Sequence, residues 1–211
     1  LPLKYAEILK IINEEFSLDF FIFENVFGLS KPAHKSDFDA ILTMLENANF
    51  YVYHKILNAI NFNVPQSRKR LFIIGWNKLK YPQGSYTFPI GNYSNLTLED
   101  TISHLKEPSF FTRNANPTTF PEHPNHWTMN IRSNRFNNFP DPSIKNGSRS
   151  FRLLSWNKPS YTVAYGHNEI HIHPNGHRRL SIYEAMLIQG FPKKGYELIG
   201  QFSEQVSLIS D

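Results

Sequence analysis

The sequence predicts an α/β layer structure over its first third and a small, irregular, β-rich region beyond it. Three observations carry this. Apolar residues recur at helical spacing near the start and again before residue 48; short continuous apolar runs separate those stripes; and from Lys78 regular periodicity gives way to Pro, Asn, Ser, Thr and aromatic residues. At 211 residues, with 40% hydrophobic and 15% aromatic content, the chain is long enough to bury a core. It has no cysteine, which excludes disulfides, thiolate metal sites and thiol nucleophiles within the chain and is compatible with a reducing cytosol. No run approaches membrane-spanning length, and no basic start leads into an apolar signal core. A net charge of +4 mildly favours an acidic partner such as DNA.

Tyr5, Ile8, Leu9, Ile12 and Phe16 predict an amphipathic helix over 3–16. Phe20-Phe21-Ile22-Phe23 reads as a buried parallel strand ending at Glu24. Ser36-x-x-Asp39 has the form of a capping box, with Phe38, Ile41, Leu42 and Leu45 continuing a helical stripe to Ala48. Residues 50–57 and 71–76 complete the regular part as strands, too few for a stable open sheet by themselves. The region 78–177 holds most of the 14 prolines and suits short strands and long loops, the composition of a reading surface. Helical order returns at Leu180–Ile188, stopped by Gly190 and Pro192, and a last helix is expected over 203–209. There is no internal repeat.

Asn63-Val64-Pro65-Gln66-Ser67-Arg68-Lys69-Arg70 runs straight into the apolar Leu71-Phe72-Ile73-Ile74-Gly75. In extended backbone Gln66, Arg68 and Arg70 share one face, and two guanidinium forks with an amide suit a planar, acceptor-rich partner such as a nucleobase or phosphate. A solvated basic turn is the plainer alternative. Glu24-Asn25-Val26 follows the first strand, where ligands of open α/β sheets bind; a helix cap or salt-bridge partner is the plainer reading of Glu24.

Taken together, Phe23-Glu24-Asn25-Val26, then Val64-Pro65-Gln66-x-Arg68-x-Arg70 about forty residues later, then Arg179-Leu180-Ser181-x-x-Glu184 with Gln189-Gly190-Phe191-Pro192, form an ordered set. The set resembles the sixth, eighth and ninth conserved motifs of the cytosine-5 DNA methyltransferases, and the resemblance spans essentially the whole chain. It implies part of a Rossmann-like, S-adenosylmethionine-dependent methyltransferase domain plus a target-recognition domain. Residues 1–77 and 178–211 would belong to the catalytic domain, the latter truncated, and 78–177 to the recognition domain. The resemblance also implies transfer of a methyl group from S-adenosylmethionine to C5 of a cytosine flipped out of duplex DNA, with a cysteine thiolate adding at C6, within a bacterial restriction–modification system. Glu24 would engage N3 and the exocyclic amine, Arg70 would lie near the cytosine O2, Arg68 would support the same loop and phosphate, and Asn25 and Gln66 would be structural support. Thr162-Val163 is similar to the Thr-Leu or Thr-Val pair of the family's recognition domain.

The departures are as telling. The family's cofactor loop and Pro-Cys motif are not in this sequence, and Ile209-Ser210-Asp211 begins the tenth motif with two substitutions; Asp211 is the one cofactor-binding candidate. The opening on Leu1 within a helical pattern fits a fragment, a partial sequence or one subunit of a split enzyme whose partner carries the thiol. By itself the chain is expected to be inactive. A non-catalytic DNA-binding specificity subunit or a decayed remnant is the alternative. Arg132, Arg135, Arg149 and Arg152, interleaved with Trp127, Phe136 and Phe151, are candidate DNA contacts or surface charges around a small aromatic core. His167, His171, His173 and His177 with Glu169 raise a metal site, but without cysteine they read better as residues touching phosphate or bases, and no metal is assigned.

Overall fold

A computed structural model describes residues 2–92, 95–112, 114–132, 134–136, 151–163 and 171–210. The fold is mixed α/β, in two compact units: Leu1–Asn58 with Lys69–Gly91, and Ala59–Arg68 with Asn92–Asp211.

In the first unit, helix α1 (Pro2–Phe16) turns Ala6, Leu9 and Asn13 inward and ends where Ser17 adopts a positive φ and its N–H returns to the Asn13 carbonyl. Strand β1 (Phe20–Val26) follows, then helix α2 (Lys35–Asn47) and strand β2 (Phe50–Asn58), and the chain re-enters the unit with strand β4 (Lys69–Asn77). The order across the sheet is β1-β4-β2, and β4 runs antiparallel to both neighbours, so β1 and β2 are parallel to each other. The expected parallel pairing of β1 is therefore wrong for its direct partner. Nor is β1 buried on both faces: Phe21 and Phe23 face the core while Phe20 and Ile22 are 51% and 57% exposed. A four-residue apolar run cannot distinguish one covered face from two.

The covered face packs Phe21, Phe23, Phe50, Leu71 and Ile73 against Ala6, Leu9, Phe38, Ile41 and Leu45 of the two helices, each large side chain contributing about 1.5–3 kcal/mol by burial. Ser36 does not cap α2. The helix starts one residue earlier, after Pro32, and Asp39 pairs with Lys35 at 2.7 Å one turn away. The end of the sheet is tied by amides. Asn13 donates to the Ala48 carbonyl at 2.9 Å, and Asn77 donates to Asn13 at 3.2 Å and to the Leu18 carbonyl at 2.8 Å.

Among the described residues the second unit holds three two-stranded parallel ladders: β3 (Gln66–Ser67) with β8 (Ser160–Tyr161), β5 (Ser109–Phe110) with β6 (Trp127–Thr128), and β7 (Arg152–Leu153) with β9 (His171–Ile172). Its core gathers Leu98 and Ile102 of helix α3 (Leu98–Ile102), Trp127, Leu154 and Val163 around helix α4 (Ile182–Ile188), every residue of which is buried. Helix α5 (Phe202–Ser210) closes it, with Phe202 edge-on to Trp127 at 4.2 Å. Helix α4 stops as the sequence predicts. Gly190 takes φ +87°, and the Phe191 N–H returns to the Met186 carbonyl.

Gly75 of β4 sits under the Phe21 ring, where any Cβ would overlap ring carbons. Gly75→Ala is expected to displace that ring and cost about 1–3 kcal/mol, read as a lower denaturation midpoint. An unchanged midpoint would contradict the packing of Phe21 against this strand.

Candidate active site

The register of β1 against β4 sets Glu24 opposite Phe72 and Val26 opposite Arg70. Alternation then puts Glu24 and Arg70 on the same face, diagonally placed, away from the helices. They meet there as an ion pair: Arg70 Nε lies 2.8 Å from Glu24 Oε1, with side chains 19% and 46% exposed. Arg70 Nη1 is spent on the Lys69 carbonyl at 3.1 Å. Glu24 Oε2 and Arg70 Nη2 keep no partner among the described residues, so a carboxylate acceptor and a guanidinium donor stand side by side and open to a ligand. Asn25 accepts from the Val26 N–H at 2.8 Å and stiffens the strand end.

Gln66 and Arg68 lie in the second unit. Gln66 is 1% exposed, and its side-chain amide meets no hydrogen-bonding partner among the described residues. Arg68 is half-buried and Ser67 and Lys69 are exposed, the alternation expected along 66–70. Gln66 pairs with Ser160 and Ser67 with Tyr161, and Thr162 Oγ1 donates to the Ser67 carbonyl at 3.2 Å. The recognition-pair candidate is thus bonded to the Gln-x-Arg segment. Val163 is only 3% exposed and packs in the core, so its side chain backs Thr162 instead of facing DNA. Arg132 is exposed in the loop after β6. Arg149, Asp211, His167, Glu169 and the side chain of Arg135 lie outside the described residues.

The segment 178–192 is held by a buried ion pair. Arg178 donates twice to Glu184, 2.8 Å each, and through Nε to Glu107 at 2.7 Å; Glu184 also accepts from the Ser181 N–H at 2.7 Å, while Ser181 Oγ accepts from the Glu184 N–H at 3.0 Å. Burial alone would raise the Glu184 carboxyl, but Arg178 outweighs it and holds the group below its ordinary value. His173, 3% exposed, lies 3.7 Å from Glu184. His126 accepts at Nδ1 from Ser181 Oγ and donates from Nε2 to the Lys106 carbonyl, both at 2.8 Å, as a neutral ring does. His171 is buried beside Tyr161, and His177 reaches Glu107 at 3.5 Å. Asn125, which sequence reasoning missed, joins Leu198 by two hydrogen bonds and shares Gln205 with the Trp127 indole. Those bonds cross 73 and 80 residues of sequence, with no local signal to find them.

The model of the family described as C-5 cytosine-specific DNA methylase matches residues 4–211. The chain belongs to that family. Among curated relatives it is 32% identical over 200 residues to the Type II methyltransferase M.NmeDI of Neisseria meningitidis serogroup C, covering 83% of this chain and 46% of the relative. To the Type II methyltransferase M.MthTI of Methanothermobacter thermautotrophicus it is 31% identical over 197 residues, covering 82% of this chain and 55% of the relative. This methylase chain therefore spans about half the length of these relatives. Among solved structures it is similar to the Entamoeba histolytica methyltransferase EhMeth, with a TM-score of 0.57, 14% identity and coverage of 97% of this chain and 62% of that one. A putative DNA modification methyltransferase from an Escherichia coli prophage gives a TM-score of 0.59 at 16% identity, covering 91% of this chain and 64% of that one. These likenesses establish the methyltransferase fold.

A methylase of this family implies S-adenosylmethionine, and the lining of the second unit's cavity does not fit it. A cavity of about 810 Å³ in the second unit is lined by Phe111, Trp127, Met129 and Phe202 with Arg179 and Gln205, and no carboxylate in it could take ribose hydroxyls or an ammonium.

Buried His173 and His126 are expected to make the second unit acid-sensitive. Burial pushes His173 down to about 4 from 6.5, against the upward pull of Glu184. Between those values the unfolded chain binds more protons, so this contribution is complete above 6.5 and is lost as pH falls toward 4. Its size is roughly 3 kcal/mol. His126, lowered chiefly by burial, acts in the same direction, and Glu184 extends the loss to more acidic pH. Denaturant unfolding at stepped pH is expected to show stability falling through this window; a flat profile would contradict it.

Proposed function

We propose that this chain is the base-gripping and sequence-reading part of a DNA cytosine-5 methyltransferase, acting on cytosine in a specific duplex sequence within a Type II restriction–modification system. The 2.8 Å contact between Glu24 and Arg70 is the observation that carries the reading. Cytosine presents an amine donor, N3 and the O2 acceptor along one edge. A carboxyl beside a guanidinium matches that edge: Glu24 takes the exocyclic amine and shares a proton with N3, and Arg70 donates to O2. Protonation at N3 draws electron density from C6 and prepares it for a nucleophile. Arg68 steadies the same loop and its phosphate, and Asn25 and Gln66 hold the backbone.

The chain contains no thiol, so the nucleophile at C6 is supplied by polypeptide outside these residues, in the same protein or a second one. The methyl group would come from S-adenosylmethionine bound chiefly there. The exposed Phe20 and Ile22 on β1 support a sheet face that further polypeptide covers. We assign residues 1–77 and 178–211 to catalysis and 78–177 to target recognition, on the order of the motifs. Thr162, Arg132, Arg135 and Arg149 are proposed to contact DNA, in a reducing cytosol. The lack of cysteine favours one rival, a DNA-binding specificity subunit without a base-gripping site.

The purified chain alone is expected to transfer no tritiated methyl group to DNA. Joined to a segment bearing the Pro-Cys motif, it should do so, and Glu24→Gln and Arg70→Ala should each lower kcat by about 10²-fold or more with DNA affinity retained. A completed enzyme that tolerates Glu24→Gln would favour the rival.

A further inference from the structure

We propose that Arg152, with its guanidinium plane set by the ring of Tyr161, contacts DNA through a planar pair of acceptors on the duplex, and that Tyr161 is its positioning residue. The inference deepens the DNA-reading assignment of 78–177 and rests on it.

Strand β8 carries the first half of the argument. Ser160 is fully buried and Val163 nearly so, while Tyr161 between them is 53% exposed. An exposed tyrosine on a short strand is unremarkable alone, but this strand is fastened to the Gln-x-Arg segment. The Ser160 N–H donates to the Pro65 carbonyl at 2.9 Å, Tyr161 is the ladder partner of Ser67, and Thr162 bonds the Ser67 carbonyl at 3.2 Å. The Tyr161 ring therefore projects from the backbone joined to the segment that leads to Arg68.

Strand β7 carries the second half. Arg152 lies between Phe151 at 5% exposure and, two residues on, Leu154 at 5%, both anchored in the interior. Leu154 N–H donates to the Ile172 carbonyl at 3.0 Å, which fixes the strand against β9. From this base the Arg152 guanidinium carbon lies 4.4 Å over the Tyr161 ring centroid. His171 runs nearly parallel to the same ring, 6° apart in plane at 6.3 Å. A guanidinium held by its face keeps all five N–H donors in the plane of its edge. Among the described residues no carboxylate takes them. An arginine whose plane is fixed and whose edge is unspent suits a bidentate acceptor, and a duplex offers two: the O6/N7 edge of guanine and a pair of phosphate oxygens.

The test is duplex binding by the 211-residue chain, measured with a fluorescent randomised duplex across a salt series and with sequencing of the bound fraction. Arg152→Gln is expected to weaken binding about tenfold. A guanine contact would relax one position of the selected sequence; a phosphate contact would weaken all sequences alike and reduce the salt slope by about one. Tyr161→Leu is expected to reproduce the same defect, and the double variant to be no worse than Arg152→Gln alone, because the two act as one unit. Variants that lose thermal stability but bind DNA like the unaltered chain would reduce the stack to packing and overturn the inference. So would additive losses, which would remove Tyr161 as a positioning residue. Failure of the unaltered chain to bind any duplex would overturn the DNA-reading assignment itself, a result distinct from the other two.

Discussion

The register of β1 against β4 is the constraint on which the candidate site depends. Side chains on a strand alternate strictly, so a slip of one residue would send Glu24 toward the helices and leave Arg70 without its carboxylate. The register is fixed from below. Phe21 lies over Gly75, and Phe23 packs with Leu71 and Ile73, so the apolar face chooses the pairing and the polar face inherits it. A glycine in mid-strand usually weakens a sheet. At position 75 it is what lets the Phe21 ring settle and the register lock.

The second unit solves another problem, holding a fully buried helix and several short ladders together with little regular structure. Its answer is a polar hub. Arg178 and Glu184 satisfy one another in a two-pronged pair, the capping box at Ser181 is bound into it, and neutral His126 bridges Ser181 to the Lys106 carbonyl. Buried ion pairs are costly to desolvate and gain most when their lone pairs are used, and Glu184 accepts three hydrogen bonds. The hub fixes where α4 begins, and Val64 lies close against the glycine that ends it. The ladder of β3 with β8 places Thr162 by the Gln-x-Arg segment.

Much of this was legible in the sequence, for local reasons. Both long helices, the strands of the main sheet and the end of α4 at Gly190 follow from periodicity and punctuation, and Ser181-x-x-Glu184 does form a capping box. The outwardly similar Ser36-x-x-Asp39 does not, because Pro32 starts the helical turn upstream and Lys35 claims Asp39. The site residues Glu24 and Arg70 were found by motif, but their contact depends on a register between strands far apart in sequence. The inward turn of Val163, the burial of Gln66 and the hub at Asn125 had no local mark, since each is decided by partners distant in the chain.

The central claim is that Glu24 and Arg70 form the surface that holds the flipped cytosine. The most direct measurement is a crystal structure of the completed enzyme trapped on duplex DNA carrying 5-fluorocytosine, where the fluorine blocks release of the base from the nucleophile. The account predicts the trapped ring against β1, its N3 and amine on the Glu24 carboxyl and its O2 on Arg70. A ring held elsewhere, with the Glu24–Arg70 pair still closed on itself, would contradict it.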